Sequence, residues 1–381
     1  FFPEDFSCGQ YHDDPGSSLP DQWPISYEDL KPYYQQAETL YRVLGSPDPL
    51  RPDNRFSYKT PEEMFPASRE LFDFFSTQGF HPYRLPIAYD TGTECAGCQG
   101  FLCSFRCKND SSKICLEPAV DQYGARIMDE CEVIEFQGTQ DAVQNIICRK
   151  AGRVFKIRAA QFVLSAGAVM TPLILLNSKN ASWPDGLGNR SGRVGRNLMR
   201  HHIDLYAVYT KSTGLPGNKK EIAFNDLYVS GSQKFGTVQS FGALPPAHVL
   251  AAEIRQDIKK NISSVLAFGF SLAKPLVAMI LHRMLASTVI LASIKEDLPY
   301  PENRVQLGNV PGETVIPVLQ YHLSDYEKQG IKEFRQRVKN ILKPYRIRLL
   351  KQSENIERIA HACGTCRFGD NKKKSVLDRY N

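Results

Sequence analysis

The chain has 381 residues, 42% hydrophobic and 23% charged, with a formal net charge of +6 and ten cysteines. That length exceeds what one hydrophobic core commonly holds and points to two domains, or to one with a large subdomain. The composition excludes a disordered, fibrous or disulfide-scaffold protein. The slight charge, with no basic arm interleaved with aromatics, argues against nucleic acid as a partner.

The chain opens on Phe1-Phe2-Pro3 and stops at Arg379-Tyr380-Asn381, and both ends read as cut. Ser26 with Asp29 starts a helix that runs to about Gly45, and a second helix is predicted over 61–79. Irregular chain then leads to Cys95, Cys98, Cys103, Cys107 and Cys115. Their short spacings suit Zn²⁺ or an iron–sulfur cluster, a disulfide, or a metal-free loop. Strand-type runs at 131–136, 143–148, 154–157 and 162–165, punctuated by Gly138 and Gly152, predict a meander.

The most informative stretch is 161–178, QFVLSAGAVMTPLILLNS. A short apolar run of strand type ends in the small-residue turn Ala166-Gly167-Ala168. Thr171-Pro172 then opens a leucine-rich run of helical length, the pattern of an α/β crossover. Gly167 carries no Cβ to keep a flat ligand off the backbone. A loop rich in glycine and asparagine follows over 186–200 and closes on His201-His202. Strand pieces at 204–210 and 237–241 and a helix over 246–260 come next.

The longest apolar region, 265–294, is interrupted by Lys274, Pro275, His282 and Arg283. A membrane-spanning helix needs about 20 mostly uncharged residues. A buried helix over 275–286 and a strand over 287–294 are therefore expected, and membrane contact is not favoured. Glu296 and Asp297 are expected to be solvated, and Pro299-x-Pro301-x-Asn303-Arg304-Val305 to enter a strand. Ser324 with Glu327 predicts a capping box for an amphipathic helix to about Leu342. The last motif is His361-Ala-Cys-Gly364-Thr365-Cys366-Arg367.

In order, Trp23-Pro-Ile-Ser-Tyr27, the Ala166-Gly167 bend with Thr171-Pro172, Gly195-Arg-Asn197-Leu, Pro301-x-Asn303-Arg304-Val305 and the His361 motif resemble the glucose–methanol–choline family of flavin-dependent oxidoreductases. The resemblance implies an α/β fold in which a flavin-binding domain interleaves with a substrate domain on an antiparallel sheet. Residues 1–120 would flank the flavin site with helices and the Cys-rich loop. Residues 121–200 and 346–381 would belong to the FAD-binding domain, the latter carrying the catalytic His loop, and 201–345 to the substrate domain. The dinucleotide fingerprint G-x-G-x-x-G, which precedes this region in the family, is nowhere in the chain. Lys179 and Phe368 stand where the family has Gly and Met, and the Gly-Ala-Lys that follows the family's paired cysteines is missing.

By the same resemblance the chain oxidises an alcohol to a carbonyl with FAD, and His361 is the base that removes the hydroxyl proton. An imidazole can take that proton near neutral pH, and such help is worth roughly 10²–10⁴-fold. The family's second His or Asn lies beyond residue 381. Val133 (through its backbone at the adenine), Ala166, Gly167, Asn197, Gly364 and Thr365 are the implied cofactor contacts, with Gly192 and Gly195 as further approach points. Arg193 and Arg196 would meet phosphate or solvent.

One of His201 and His202 matches a family histidine with a structural hydrogen-bonding role. His12, His81, His248, His282 and His322 read as surface or core residues. A metal-free, flavin-facing reading of the Cys95–Cys115 loop is preferred over a metal site. The substrate is a small-molecule alcohol, the electron acceptor is unknown, and a cytoplasmic location is preferred over a periplasmic one. The alternatives are a non-catalytic metal-binding or protein-interaction module, or an inactive remnant of the enzyme.

Overall fold

The computed structural model describes residues 1–51, 59–90, 103, 105–212, 220–242, 276, 279, 288–308, 316–355 and 360–380. A 3-10 stretch over Pro3–Tyr11 leads to helix α1 (Tyr27–Leu40). Ser26 caps it reciprocally: its Oγ accepts from the Asp29 N–H, and the Asp29 carboxylate accepts from the Ser26 N–H. The helix ends short of the expected Gly45. Arg42 turns to φ +54°, and the chain re-emerges as β1 (Val43–Leu44). Helix α2 (Pro66–Thr77) starts on a proline, whose missing N–H costs nothing at a first helical position. Strands β2 (Tyr83–Arg84) and β3 (Ile87–Ala88) follow, β3 pairing with β1. Then comes the short helix α3 (Glu117–Tyr123).

Strands β4 (Cys131–Gly138), β5 (Val143–Lys150) and β6 (Arg153–Ile157) form the expected antiparallel meander. The run at 162–165 does not extend it and pairs with no described strand. Phe162 and Leu164 pack on Phe136, Ile174 and Trp183, while Val163 between them is 89% exposed. The crossover reading is corrected accordingly: the period of two is real, but the sheets here are antiparallel. Helix α4 (Gly167–Asn177) begins at the bend itself, ahead of Thr171-Pro172, so Pro172 lies inside it.

The remaining strands are β7 (His202–Tyr209), β8 (Ile222–Phe224), β9 (Val229–Ser230), β10 (Gln233–Lys234), β11 (Gly236–Ser240) and β12 (Thr288–Lys295). After them come β13 (Arg304–Leu307), β14 (Pro317–Gln320), helix α5 (Asp325–Ile341) and β15 (Arg346–Lys351). A six-stranded antiparallel sheet runs β15-β7-β12-β11-β8-β2. The motif at 299–305 does enter a strand: β13 pairs with β14 in a two-stranded sheet and is bridged to Arg196 at Arg304. The predicted helix over 246–260 lies outside the described residues. Of 275–286 only Leu276 and Met279 are described, both helical. No helix among the described residues is long and apolar enough to cross a membrane.

The alternation of β7 decides what covers each face of the large sheet. Tyr206 and Val208, with Val289 and Leu291 of β12, meet Leu71 and Phe75 of α2 and Phe334 and Val338 of α5. Ile203, Leu205 and Ala207 face the other way with Ile290 and Ala292, against Phe241 and Ala360. That second face carries the site.

Helix α4 is clamped to the meander by Ser178, fully buried, whose Oγ accepts from Phe136 N–H at 2.8 Å and donates to Ile174 O at 2.7 Å. Ser178→Ala leaves the Phe136 donor unsatisfied in the core. It is expected to cost about 1–3 kcal/mol in chemical denaturation, whereas Ser178→Thr, which keeps the hydroxyl, is expected to cost less.

Candidate active site

The bend and the carboxyl-terminal histidine loop, 197 positions apart, meet through one side chain. Pro172 has no N–H to give the carbonyl four residues back, so Ala168 O is open inside α4. The Thr365 hydroxyl donates to that oxygen at 2.7 Å. Thr365, one of the implied cofactor contacts, thus spends its hydroxyl proton on the helix. Around this contact Leu173 of α4, Leu198 and Val305 form a buried cluster that also takes in Ala362.

The chain over 195–201 is bonded on both sides. Gly195 N–H donates to Thr365 O, Met199 exchanges both backbone bonds with Cys363, and His201 N–H donates to Ala360 O. On the other edge Leu198 N–H donates to Asn303 O and Val305 N–H to Gly195 O. Asn303, fully buried, holds His322 by its amide on both the N–H and the carbonyl. Arg304 instead reaches the Gln320 side chain.

This framework brings His361 to His201. The two Nδ1 atoms are 2.9 Å apart and the rings cross edge to face. His361, exposed, adopts φ +56°, a backbone conformation rare for a residue with a Cβ. An Nδ1–Nδ1 hydrogen bond needs one ring to donate and the other to accept. If His361 is the donor, its Nε2 carries the lone pair. Burial first, then the neighbouring His361, push His201 below the usual histidine range. One of His201 and His202 was expected to be structural, and nothing in the sequence around His201 signals this contact, which depends on a loop 160 residues away.

His202 points through the sheet to the opposite face, where its Nε2 is 3.4 Å from Asp297 Oδ1 and 3.3 Å from Glu327 Oε2. The expectation that Glu296 and Asp297 are solvated is corrected. Asp297 is buried and accepts from Tyr321 Oη at 2.7 Å. Glu296 lies 2.8 Å from His12 Nε2 and 2.6 Å from Lys234 Nζ. Burial raises the Glu296 carboxyl, but His12 and Lys234 outweigh it and hold the group at about 2. Glu327 is likewise turned inward to Lys295, which leaves half a capping box: Ser324 Oγ accepts from Glu327 N–H and receives nothing back.

The other expected contacts scatter. Val133 sits in β4, packed toward Phe136, Ile174 and Trp183, and reaches the bend only through α4. Ala166 is the residue before α4's first turn, with no side-chain cap on the helix. A Cβ on Gly195 would strike Val305 O, and one on Gly364 would strike Asn197 O, so at both positions the chain's own backbone fills the approach. Gly192 and Gly167 face open space. Arg196 binds Gly192 O and Pro301 O. Cys95 and Cys98 lie outside the described residues; Cys107 N–H donates to Cys103 Sγ, and Cys115 is exposed.

Two observations fit a flat, hydrogen-bonding ring such as FAD carries. Gly167, at φ +76°, leaves the uncapped amino end of α4 open. Asn197, at φ +63° and 1% exposed, accepts from Ser18 Oγ at its Oδ1, while its Nδ2 is buried without a hydrogen-bond partner among the described residues. A buried donor left unmade is costly unless something takes it up.

Thr365→Val keeps the shape of residue 365 and removes its donor, and is expected to destabilise the fold by about 1–3 kcal/mol. In a Pro172→Ala background the residue-172 N–H can take over the Ala168 carbonyl, and the same change is expected to cost markedly less. Denaturation of the four proteins measures this coupling; equal costs in both backgrounds refute the link.

Residues 22–203 match the family model described as GMC oxidoreductase. Along 99% of its length the chain is 24% identical to 6'''-hydroxyparomomycin C oxidase of Streptomyces lividus, covering 68% of that protein. It is 24% identical over its whole length to 2-methyl-1,2-propanediol dehydrogenase of Mycolicibacterium austroafricanum, covering 70% of it. Among solved structures, pyridoxine 4-oxidase from Mesorbium loti superposes with a TM-score of 0.55 at 16% identity, over 93% of this chain and 69% of that one. An FAD-dependent oxidoreductase from Chaetomium thermophilum gives a TM-score of 0.54 at 13% identity, over 99% and 75%. The motifs that meet at Ala168 and His361 are thus held in the fold of those enzymes, and over residues 22–203 the chain carries the sequence of the GMC oxidoreductases, a family of FAD-dependent enzymes that oxidise alcohols.

Proposed function

We propose that His361 is the general base for oxidation of a small-molecule alcohol, with His201 as the group that sets its tautomer. The carrying observation is the 2.9 Å contact between the two Nδ1 atoms, in a loop tied to the amino end of α4. With His361 Nδ1–H donating to His201, the His361 Nε2 lone pair is left to take the hydroxyl proton. The imidazolium so formed keeps its Nδ1–H on His201, which holds the ring in place as its charge changes. Asn197 and the first-turn N–H groups of α4 at Gly167 are the groups that would hold FAD. When bound, FAD supplies the hydride acceptor.

The alcohol is of the kind named for the relatives, a hydroxyl on a small polar molecule such as paromamine or a propanediol. Half-buried His201 and the apolar face of Ile203, Leu205, Ile290 and Ala292 limit water on one side of the pair. The hydroxyl proton is then kept for the imidazole.

In the flavin-loaded protein, His361→Ala is expected to slow bleaching of the yellow cofactor by alcohol by roughly 10²–10⁴-fold, with the colour still bound. Stopped-flow absorbance checks it, and an unchanged rate removes His361 from the role. His201→Leu, which frees the ring to rotate, is expected to show a smaller loss. The wild-type rate is expected to fall about tenfold per pH unit below the pair's titration, where no lone pair remains.

A further inference from the structure

Beneath the His201–His361 pair lies a buried group of charges that the proposed reaction does not use. His202 and Lys295 face each other across β7 and β12, Asp297 follows β12, and Glu327 comes from the first turn of α5. His202 and Glu327 side chains are 0% exposed, Asp297 1% and Lys295 4%. Ligand-type atoms of His202, Asp297 and Glu327 gather within 4.8 Å. Lys295 Nζ, however, already stands 2.8 Å from Glu327 Oε2, and a divalent ion beside it would leave buried positive charge in excess. Two carboxylates and one ammonium balance when the imidazole carries the remaining positive charge. Burial opposes that charge, but the two carboxylates outweigh it and hold His202 above the usual histidine range.

The neighbouring groups have partners of their own, the Arg200 guanidinium among them at Ser353 O and Asn355 O. Arg200 N–H and Tyr321 Oη donate to Asp297 Oδ2. Asp204, on the same face of β7, takes Arg335 and Ser353, and Glu354 pairs with Arg335. On the far face Glu296 is held by His12 and Lys234. The imidazole is the member of this group whose kind titrates near neutrality.

His201 is the preceding residue and faces the opposite side of the sheet. Its proton affinity is lowered by burial, by His361 and by the charge on His202, against the opposing pull of Glu296 and Asp297. We infer that His202 is a positioning residue for the reaction: as a buried imidazolium whose Nε2 faces the Asp297 and Glu327 carboxylates, it anchors the start of β7 and keeps a second proton off the His201–His361 pair. The inference rests on the reading of His361 as the base.

The test is carried out on the full chain, ¹³C-labelled at histidine, followed by NMR against pH with and without FAD, and on the pH profile of flavin reduction. His202→Gln removes the charge, and the His201 and His361 titrations are expected to move up by about one unit, the size a nearby like charge typically exerts. The acid limb of flavin reduction moves up with them. Glu327→Gln, which leaves the ring in place but takes away one of the carboxylates that hold its proton, is expected to bring the His202 titration down without raising those of His201 and His361, and answers the question should His202→Gln fail to fold. A histidine raised in the folded state stabilises fully below its unfolded value and loses that contribution as pH rises through its folded value. Wild type should therefore lose stability across that range, and His202→Gln should not.

Unmoved or lowered His201 and His361 titrations in His202→Gln, or an unmoved His202 titration in Glu327→Gln, overturn the inference, whatever the rate does. If His361→Ala leaves flavin reduction untouched while His202→Gln still moves the titrations, the coupling is supported and the base assignment alone fails.

Discussion

A hydrogen bond that proline cannot make holds the site together. Pro172 leaves Ala168 O unbonded within α4, and Thr365 supplies the donor from the far end of the chain. Either residue alone would be a defect: a helix with an open carbonyl, or a buried hydroxyl with nothing to donate to. Together they tie the Thr-Pro and Gly-Thr motifs to one point. The bond is one of several, since closing so long a loop costs more entropy than a single hydrogen bond returns. The rest comes from the segment 195–201, bonded to the 360–365 loop on one edge and to 303–305 on the other.

That segment also explains how two adjacent histidines come to different work. An extended chain sends successive side chains to opposite faces. His201 is delivered to the apolar face shared by Ile203, Ala292 and Ala360, and His202 to the face covered by α5. Buried ion pairs are weak contributors to net stability, because desolvation offsets most of the attraction. The group at His202 is better understood as a device for register. Lys295 and His202 are cross-strand partners, and Glu327 can satisfy both only if β7, β12 and α5 are in one alignment.

Local signals were legible where they were chemically complete within a few residues. The Ser26 cap, the β4–β6 meander and the start of α5 at Ser324 are all visible in sequence, because cap and turn residues act within a short reach. The run at 162–165 has the strand period but no pairing among the described residues, and period cannot report whether a neighbouring strand exists. Glu296 and Asp297 looked like surface charges because their partners, His12, Lys234 and Tyr321, come from three separate parts of the chain. The His201–His361 contact was hidden for the same reason. Motif order pointed to the loop that carries the base, but only the fold supplies the ring against which that base is set.

The glycines of the motifs show why resemblance identifies a family more readily than it assigns contacts. Gly167, Gly195 and Gly364 all adopt positive φ and all sit in segments that approach the site. In sequence they make the same demand, a backbone conformation that a Cβ disfavours. In the structure they divide. Gly195 and Gly364 are required because Val305 O and Asn197 O occupy the place a side chain would take, so they serve the crossing of the chain over itself. Gly167 has nothing before it, and the space it keeps clear lies at the uncapped end of a helix, beside a carbonyl already bonded to Thr365. Glycines of the first kind build the framework. Of these three only Gly167 leaves a face on which a ligand can lie, and it stands one residue from the bond that positions the histidine loop.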